Sequence, residues 1–272
     1  MDQENNFKIL IDEMKVRGFS RNTIELYRYH NQRFSLYTKK SPRDITKHDI
    51  EQYLVSLYDK GTASATRHLI CAALKFYYEN VLKRRFHLKY PKKSHPLSVV
   101  LAKEEIVCMI EATENQKHRL LLMLAYGSGL RLGETIKARI EDFDIGRGIF
   151  HVKQGKGDKD RFVPLSAIFL KDFFAFIGGK KEGWLFESDH NQGTHITGRT
   201  AQAVVKQAIK KAGITKKAHA HSLRTSYATH LIENGTDISY VQKLLGHSKL
   251  STTQAYIRLS SNSILSIKSP LD

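Results

Sequence analysis

Over about its first 90 residues the chain spaces its apolar side chains for helices and shows no convincing strand alternation. Phe7, Leu10, Ile11 and Met14 share one helical face, and Arg17-Gly18 stops the run. Ser20 is placed to cap a helix bearing Ile24, Tyr27, Phe34 and Tyr37. Thr46 and Asp49 form a capping-box pair ahead of Ile50, Tyr53, Leu54 and Leu57. Ser64 opens a fourth helix through Leu69, Ala73, Phe76 and Tyr77. Four helices of this length bury one small core, so residues 1–84 read as an all-α domain.

Residues 83–96, KRRFHLKYPKKSHP, are basic, carry two prolines and have no amphipathic period. They place a linker at 85–97 and a second domain at 98–272. That domain opens with a helix from about Lys103, followed by LLLMLAYGSGL and RLGETIKAR. Two strands, Ile149–Lys153 and Arg161–Leu165, flank the turn QGKGDKD as a hairpin. Helices then read at Ala167–Ile177, Arg199–Ala212, Leu223–Asn234, Ile238–Leu245 and Thr252–Leu259. The expected fold is mainly α with a small antiparallel β-sheet, in two domains.

Composition narrows the partner. Lys and Arg number 44 against 27 Asp and Glu, a net charge of +17, and residues 1–95 alone carry +9. A field of that sign over both domains favours a polyanion, above all nucleic acid. No apolar run approaches the ~20 residues of a membrane span, and MDQENNFKIL lacks the layout of a secretory signal. The expected location is cytoplasmic. Cys71 and Cys108 sit in apolar helical contexts without a C-x-x-C, so they read as two buried thiols, with no zinc or redox motif.

Four segments of the second domain hold residues suited to phosphate chemistry. Arg131 follows a glycine turn at a helix start, where its planar fork of donors suits phosphate oxygens. Lys156 lies on the hairpin tip, within reach of a leaving-group oxygen that it would protonate. His221 and Arg224, three apart, share a helix face. His247 follows Leu244-Leu245-Gly246, and Tyr256 stands nine residues further on. Each also has a bland reading: a surface arginine, a solvated lysine, a helix-capping histidine, a core tyrosine.

Together and in this order the segments resemble the tyrosine recombinase (phage integrase) family, most closely its Xer-type members. The family signature is an arginine in G-L-R, a lysine in a G-K-G hairpin, H-x-x-R, L-G-H and a tyrosine nine residues on. This sequence matches at Arg131, Lys156, His221, Arg224, His247 and Tyr256. The resemblance implies a helical core-binding domain followed by a catalytic domain. Tyr256 would attack the scissile phosphate, leaving a 3′-phosphotyrosyl bond and a free 5′-hydroxyl. Arg131 and Arg224 would hold the non-bridging oxygens, and Lys156 would protonate the departing oxygen. His221 would orient the tyrosine or accept its proton, and His247 would hydrogen-bond a phosphate oxygen. Such chemistry calls for no cofactor, neither ATP nor a metal. The sequence has no Walker-type motif, and the His219-x-His221 pair lacks further zinc ligands. Glu134 is a candidate supporting acid, and Lys159 and Arg161 are candidate DNA-backbone contacts.

The implied partners are double-stranded DNA with a specific core site and further copies of the chain in a tetrameric synapse. A partner recombinase or accessory activator belongs to some systems of this kind; a membrane belongs to none of these readings. Leu259, Ile264, Leu265 and Ile267 make an apolar tail after the tyrosine, which in the family docks on a neighbouring protomer. Chromosome or plasmid resolution and mobile-element integration share this chemistry, and the short N-terminus favours the simpler Xer-like systems. A catalytically silent DNA-binding protein of the same fold and a topoisomerase are the alternatives.

Overall fold

The computed structural model describes residues 3–92, 98–153, 160–247 and 250–257, and the chain divides into two compact units, Met1–Pro96 and Leu97–Asp272. The first unit contains α1 (Gln3–Val16), α2 (Arg21–Thr38), α3 (Lys47–Asp59) and α4 (Ser64–Phe76), the last continued by a π-helical turn over Tyr77–Val81. Ser20 Oγ accepts from the Thr23 amide, which starts α2. Thr46 Oγ1 accepts from the Asp49 amide while Asp49 accepts from Thr46 N, the reciprocal box that starts α3.

Leu10, Met14, Phe34, Ile50, Ile70 and Leu74 lie in the core these helices enclose. Asn31 is buried there with its amide donating to the carbonyls of Tyr27 and Ala73, so α2 and α4 are tied by a satisfied polar group. The expected linker begins with residues that the first unit holds. Arg84 donates to the carbonyls of Pro42 and Ile45 at 2.8 Å. Phe86 and Leu88 pack on the core of that unit, and His68 Nδ1 lies 3.2 Å from the carbonyl of Pro91. The residues of KRRFHLKY alternate between apolar contact and solvated charge, a local pattern too short to show as periodicity.

The second unit begins with α5 (Lys103–Glu111), α6 (Gln116–Gly127) and the short α7 (Leu132–Ile136). A three-stranded antiparallel sheet follows in the order β1 (Phe143–Asp144), β2 (Ile149–Val152), β3 (Arg161–Pro164). Phe150 pairs with Val163 and with Phe143. Their side chains point inward with Val152, against Phe169 and Phe173 of α8 (Ala167–Ile177). β1 is not among the strands read from the sequence, because two residues cannot display a period of two. The remaining helices are α9 (Gly198–Lys211), α10 (Ala220–Glu233), α11 (Ile238–Leu245) and α12 (Leu250–Ile257).

α10 is the central strut, and it is buried from Ser222 to His230 although much of that run is polar. Ser226 Oγ finds partners inside, donating to the Ser222 carbonyl and accepting from the Leu101 amide. One thiol departs from expectation. Cys71 is buried but Cys108 is exposed. Ile106 and Met109 take the inward face of α5, and two residues on from Ile106 is roughly 200° round the helix. No helix among the described residues is long and apolar enough to cross a membrane.

The capping box makes a local stability claim. Thr46→Ala should cost the first unit about 1 kcal/mol, whereas Thr46→Ser should stay near wild type, as read from urea unfolding followed by circular dichroism.

Candidate active site

The site grows from the place where α6 stops. The chain leaves Gly127 and turns through Gly129, whose φ is +59°. A Cβ there would lie 2.2 Å from Cδ1 of Tyr227, so the close approach of α10 excludes any side chain. The carbonyl of Gly129 accepts from Arg224 Nη1 at 2.7 Å. Arg131 stands just ahead of α7, held there because Glu134 accepts from its backbone amide at 2.8 Å. α11 ends in a second left-handed glycine, Gly246, with φ of +61°. That turn swings His247 back over Arg224 and leaves the Leu245 carbonyl accepting from Arg224 Nη2 at 2.5 Å.

Arg224 is therefore a buried guanidinium, 1% exposed, coordinated by carbonyls from two helix ends and by a histidine. Its Nη2 donates to His247 Nε2 at 3.1 Å. A guanidinium only donates, so this nitrogen is the unprotonated one, and Nδ1–H donates to Thr253 Oγ1 at 2.9 Å. Tyr256, 6% exposed, packs its ring with Tyr227, Ala228, Val241 and Leu245 and stacks on His247, with centroids 6.0 Å apart. The charges of Arg224 and Arg131 act on its hydroxyl. The core-aromatic reading and the functional one thus both apply to this residue.

Glu134 is the hub behind the arginines. Its carboxylate accepts from Arg131 Nη1 at 2.7 Å and from Arg161 Nη1 and Nη2 at 3.0 and 2.7 Å. Arg224 Nη1 lies 3.9 Å away. Burial by itself would raise the pKa of Glu134, but the hydrogen bonds and charges of Arg161 and Arg131 outweigh it and hold the pKa at about 2. Arg161 also donates from Nε to the Leu244 carbonyl at 2.8 Å, and its side chain is 8% exposed. In the DNA-free protein this candidate backbone contact is turned inward. Its donors are committed to Glu134 and to the end of α11, so it braces the site from within.

Electrostatics set the protonation states. Burial, then the charges of Arg131 and Arg161 against that of Glu134, lowers Arg224 to about 10, which leaves it cationic at neutral pH. Burial and the charges of Arg224, Arg131, His221 and Arg161 push His247 down to about 4. His221 keeps an exposed edge, yet the atoms packed round its ring and the charges of Arg224, His219 and Arg131 lower it too. Both imidazoles are neutral at pH 7 and able to take a proton. Burial raises Tyr256, and Arg224 and Arg131 draw it part of the way back.

Five of the six motif residues, Arg131, His221, Arg224, His247 and Tyr256, gather about one point. Lys156 and Lys159 lie outside the described residues, as does the tail 258–272. Reasoning from sequence missed Thr253, which shares a helix face with Tyr256 three residues on, and gave no role to the carbonyls of Gly129 and Leu245. Among the described residues no group of three or more His, Cys, Asp or Glu is placed to hold a metal.

Comparison with known proteins agrees with this geometry. Residues 99–263 match the phage integrase family, and residues 7–88 match the phage integrase N-terminal SAM-like domain. The chain is 35% identical over 254 residues to tyrosine recombinase XerA of Pyrococcus furiosus, covering 91% of this chain and 87% of that one. It is 30% identical over 270 residues to XerD of Staphylococcus haemolyticus, covering 91% of each. The crystal structure of a XerA recombinase aligns over 97% of this chain and 96% of its own, with 29% identity and a TM-score of 0.57. A lambda integrase dimer bound to a core site shares the fold over 99% of this chain and 80% of its own, at 18% identity and a TM-score of 0.75. The chain belongs to the phage integrase family of tyrosine recombinases.

The depressed pKa of Glu134 has a direction in pH. The group stabilises the fold above its ordinary 4.5, and that contribution, about 3 kcal/mol, is lost as the pH falls towards 2. Urea unfolding between pH 5 and 2 should show wild type losing stability over this window and Glu134→Gln, which cannot titrate, losing less.

Proposed function

We propose that this chain is a site-specific recombinase that breaks and rejoins DNA strands through a 3′-phosphotyrosyl link at Tyr256. The observation that carries the proposal is the gathering of Tyr256 and His247 about one buried, cationic guanidinium: Arg224 donates to His247, on which Tyr256 stacks, and its charge acts on the Tyr256 hydroxyl. A phenolic nucleophile needs a fixed positive charge beside the phosphorus it attacks and a neutral base to take its proton. The site holds both within one small volume, where a low dielectric strengthens each interaction.

In the proposed step the Tyr256 oxygen forms a bond to phosphorus while the bond from phosphorus to the 5′ oxygen breaks. The phenolic proton passes to neutral His221, while His247 hydrogen-bonds a phosphate oxygen. The 5′ oxygen leaves with a proton from Lys156, the role that the family pattern gives that position. Arg131 and Arg224 face the non-bridging oxygens and offset the charge that builds there. Attack by a 5′-hydroxyl of a partner strand reverses the step, so the energy of the phosphodiester is kept in the protein link. Exchange of both strand pairs passes through a Holliday junction. A lambda integrase tetramer has been solved on such a junction, which supports a tetrameric synapse here.

The first unit is proposed as the core-binding domain, with residues 85–97 passing to the catalytic domain, and the excess of Lys and Arg as the means of holding phosphates. The tail after Tyr256 is proposed to dock on a neighbouring protomer. A cytoplasmic location and a second recombinase or activator fit the Xer-type relatives. A silent DNA-binding protein would have no use for a phenol stacked on a histidine that a buried arginine holds, and that arrangement favours the enzyme.

Incubation with a nicked suicide substrate should give wild type a denaturation-resistant protein–DNA adduct that Tyr256→Phe lacks. Arg131→Ala should retain DNA binding and slow adduct formation by about 100- to 1000-fold. Absence of adduct from wild type on DNA that it demonstrably binds would move the silent-binder reading ahead. Affinity for duplex should fall by about 10³ or more between 50 and 200 mM salt if six or more phosphates are held. A flat salt response would argue against a phosphate clamp.

A further inference from the structure

A neutral His247 carries one ring proton, and each of its two nitrogens meets a partner. In the DNA-free protein Arg224 donates to Nε2, so the proton sits on Nδ1 and goes to Thr253 Oγ1. To donate to a phosphate oxygen, a neutral His247 needs the opposite tautomer, with the proton on Nε2 and Nδ1 bare. A bare Nδ1 in a buried site needs a donor. Thr253 is 0% exposed, so water does not reach it freely, and among the described residues its hydroxyl is the one side-chain group that faces that nitrogen.

A hydroxyl accepts and donates with equal ease by rotating about one bond. We propose that Thr253 is a positioning residue that sets the tautomer of His247 and reverses it when a phosphate displaces Arg224 from Nε2. In the free state Thr253 accepts from Nδ1–H. In the substrate complex it donates to Nδ1, and His247 turns its proton toward the phosphate without taking on charge. The alternative, protonating the ring to imidazolium, is opposed from every side. Arg224 and His221 face it from α10, Arg131 from ahead of α7 with Glu134 behind it, Arg161 from β3, and the Tyr256 ring from α12.

The placement ties this control to the nucleophile. Thr253 and Tyr256 are three apart on α12, so the hydroxyl that orients His247 and the hydroxyl that attacks arrive on one helix face. Seating α12 therefore completes both at once. The proposal rests on the phosphoryl-transfer reading of the site.

The experiment measures single-turnover adduct formation on the nicked substrate with full-length protein, alongside DNA binding and thermal melting. Thr253→Val, which keeps the shape and removes the hydroxyl, should slow adduct formation by about 10- to 100-fold while binding is unchanged. Thr253→Ser, which keeps the hydroxyl, should stay within a few-fold of wild type. Thr253→Val should add no further loss to His247→Phe, since it acts only through that ring. Its deficit should shrink as the pH is lowered, because an imidazolium carries both protons and needs no donor at Nδ1. Nitrogen-15 NMR of the DNA-free wild type, with His247→Phe for assignment, should find His247 protonated at Nδ1, a readout that needs no Thr253 variant to fold.

A wild-type rate in Thr253→Val, equal loss in the serine and valine variants, further loss in the His247→Phe background, or a proton on Nε2 in free protein would each overturn the proposal. Those results leave the adduct in wild type intact. Failure of wild type to form any adduct on bound DNA would instead remove the phosphoryl-transfer reading, and this proposal with it.

Discussion

A full positive charge on Arg224 lies inside the second unit, and the local architecture is what makes that tolerable. Removing a guanidinium from water costs several kcal/mol unless its protons find acceptors and a counter-charge lies near. Two acceptors are carbonyls beyond or at the ends of α6 and α11, groups that no longer have helical partners of their own. Those helix ends need donors and the arginine needs acceptors, so each resolves the other's desolvation. The left-handed turns at Gly129 and Gly246 are the geometric condition for that exchange.

The counter-charge is shared among three arginines. Glu134 is saturated by Arg131 and Arg161 and stands 3.9 Å from Arg224. One carboxylate among several cations leaves a net positive field, and this field does the rest. Added to burial, it keeps His221 and His247 neutral, and it opposes the rise that burial imposes on the Tyr256 hydroxyl. A site with more acids would have lost the attraction for a phosphate. One with none would have lost the carboxylate that ties Arg131 to Arg161.

Much of this is legible in one dimension because catalytic groups on helix starts and tight turns carry local signatures. G-L-R, H-x-x-R and L-G-H set Arg131, Arg224 and His247 beside glycines or on known faces, and the helices of the first unit announce themselves by caps and period. The tie of Arg161 to Glu134 was not legible for a physical reason: a basic residue on a hairpin strand is usually solvated, and only the fold brings it under Glu134. Cys108 was misread because an apolar neighbourhood in sequence does not say which face a residue takes. Thr253 was passed over since a threonine before a tyrosine has no signature until a ring nitrogen stands opposite it. α10 was seen as a helix, though not as the buried one, because its inward face is polar.

What the sequence determined by itself is the inventory: helices nearly throughout, one short hairpin, an excess of positive charge, and the side chains able to carry phosphoryl transfer. Which of them share protons was decided only by tertiary structure. Arg224 meets carbonyls 95 and 21 residues away in sequence, and Arg161 meets a carboxylate 27 residues away. A hydrogen bond is won or lost within a few tenths of an ångström. That precision arises from helices packed against one another, and no local pattern of residues encodes it.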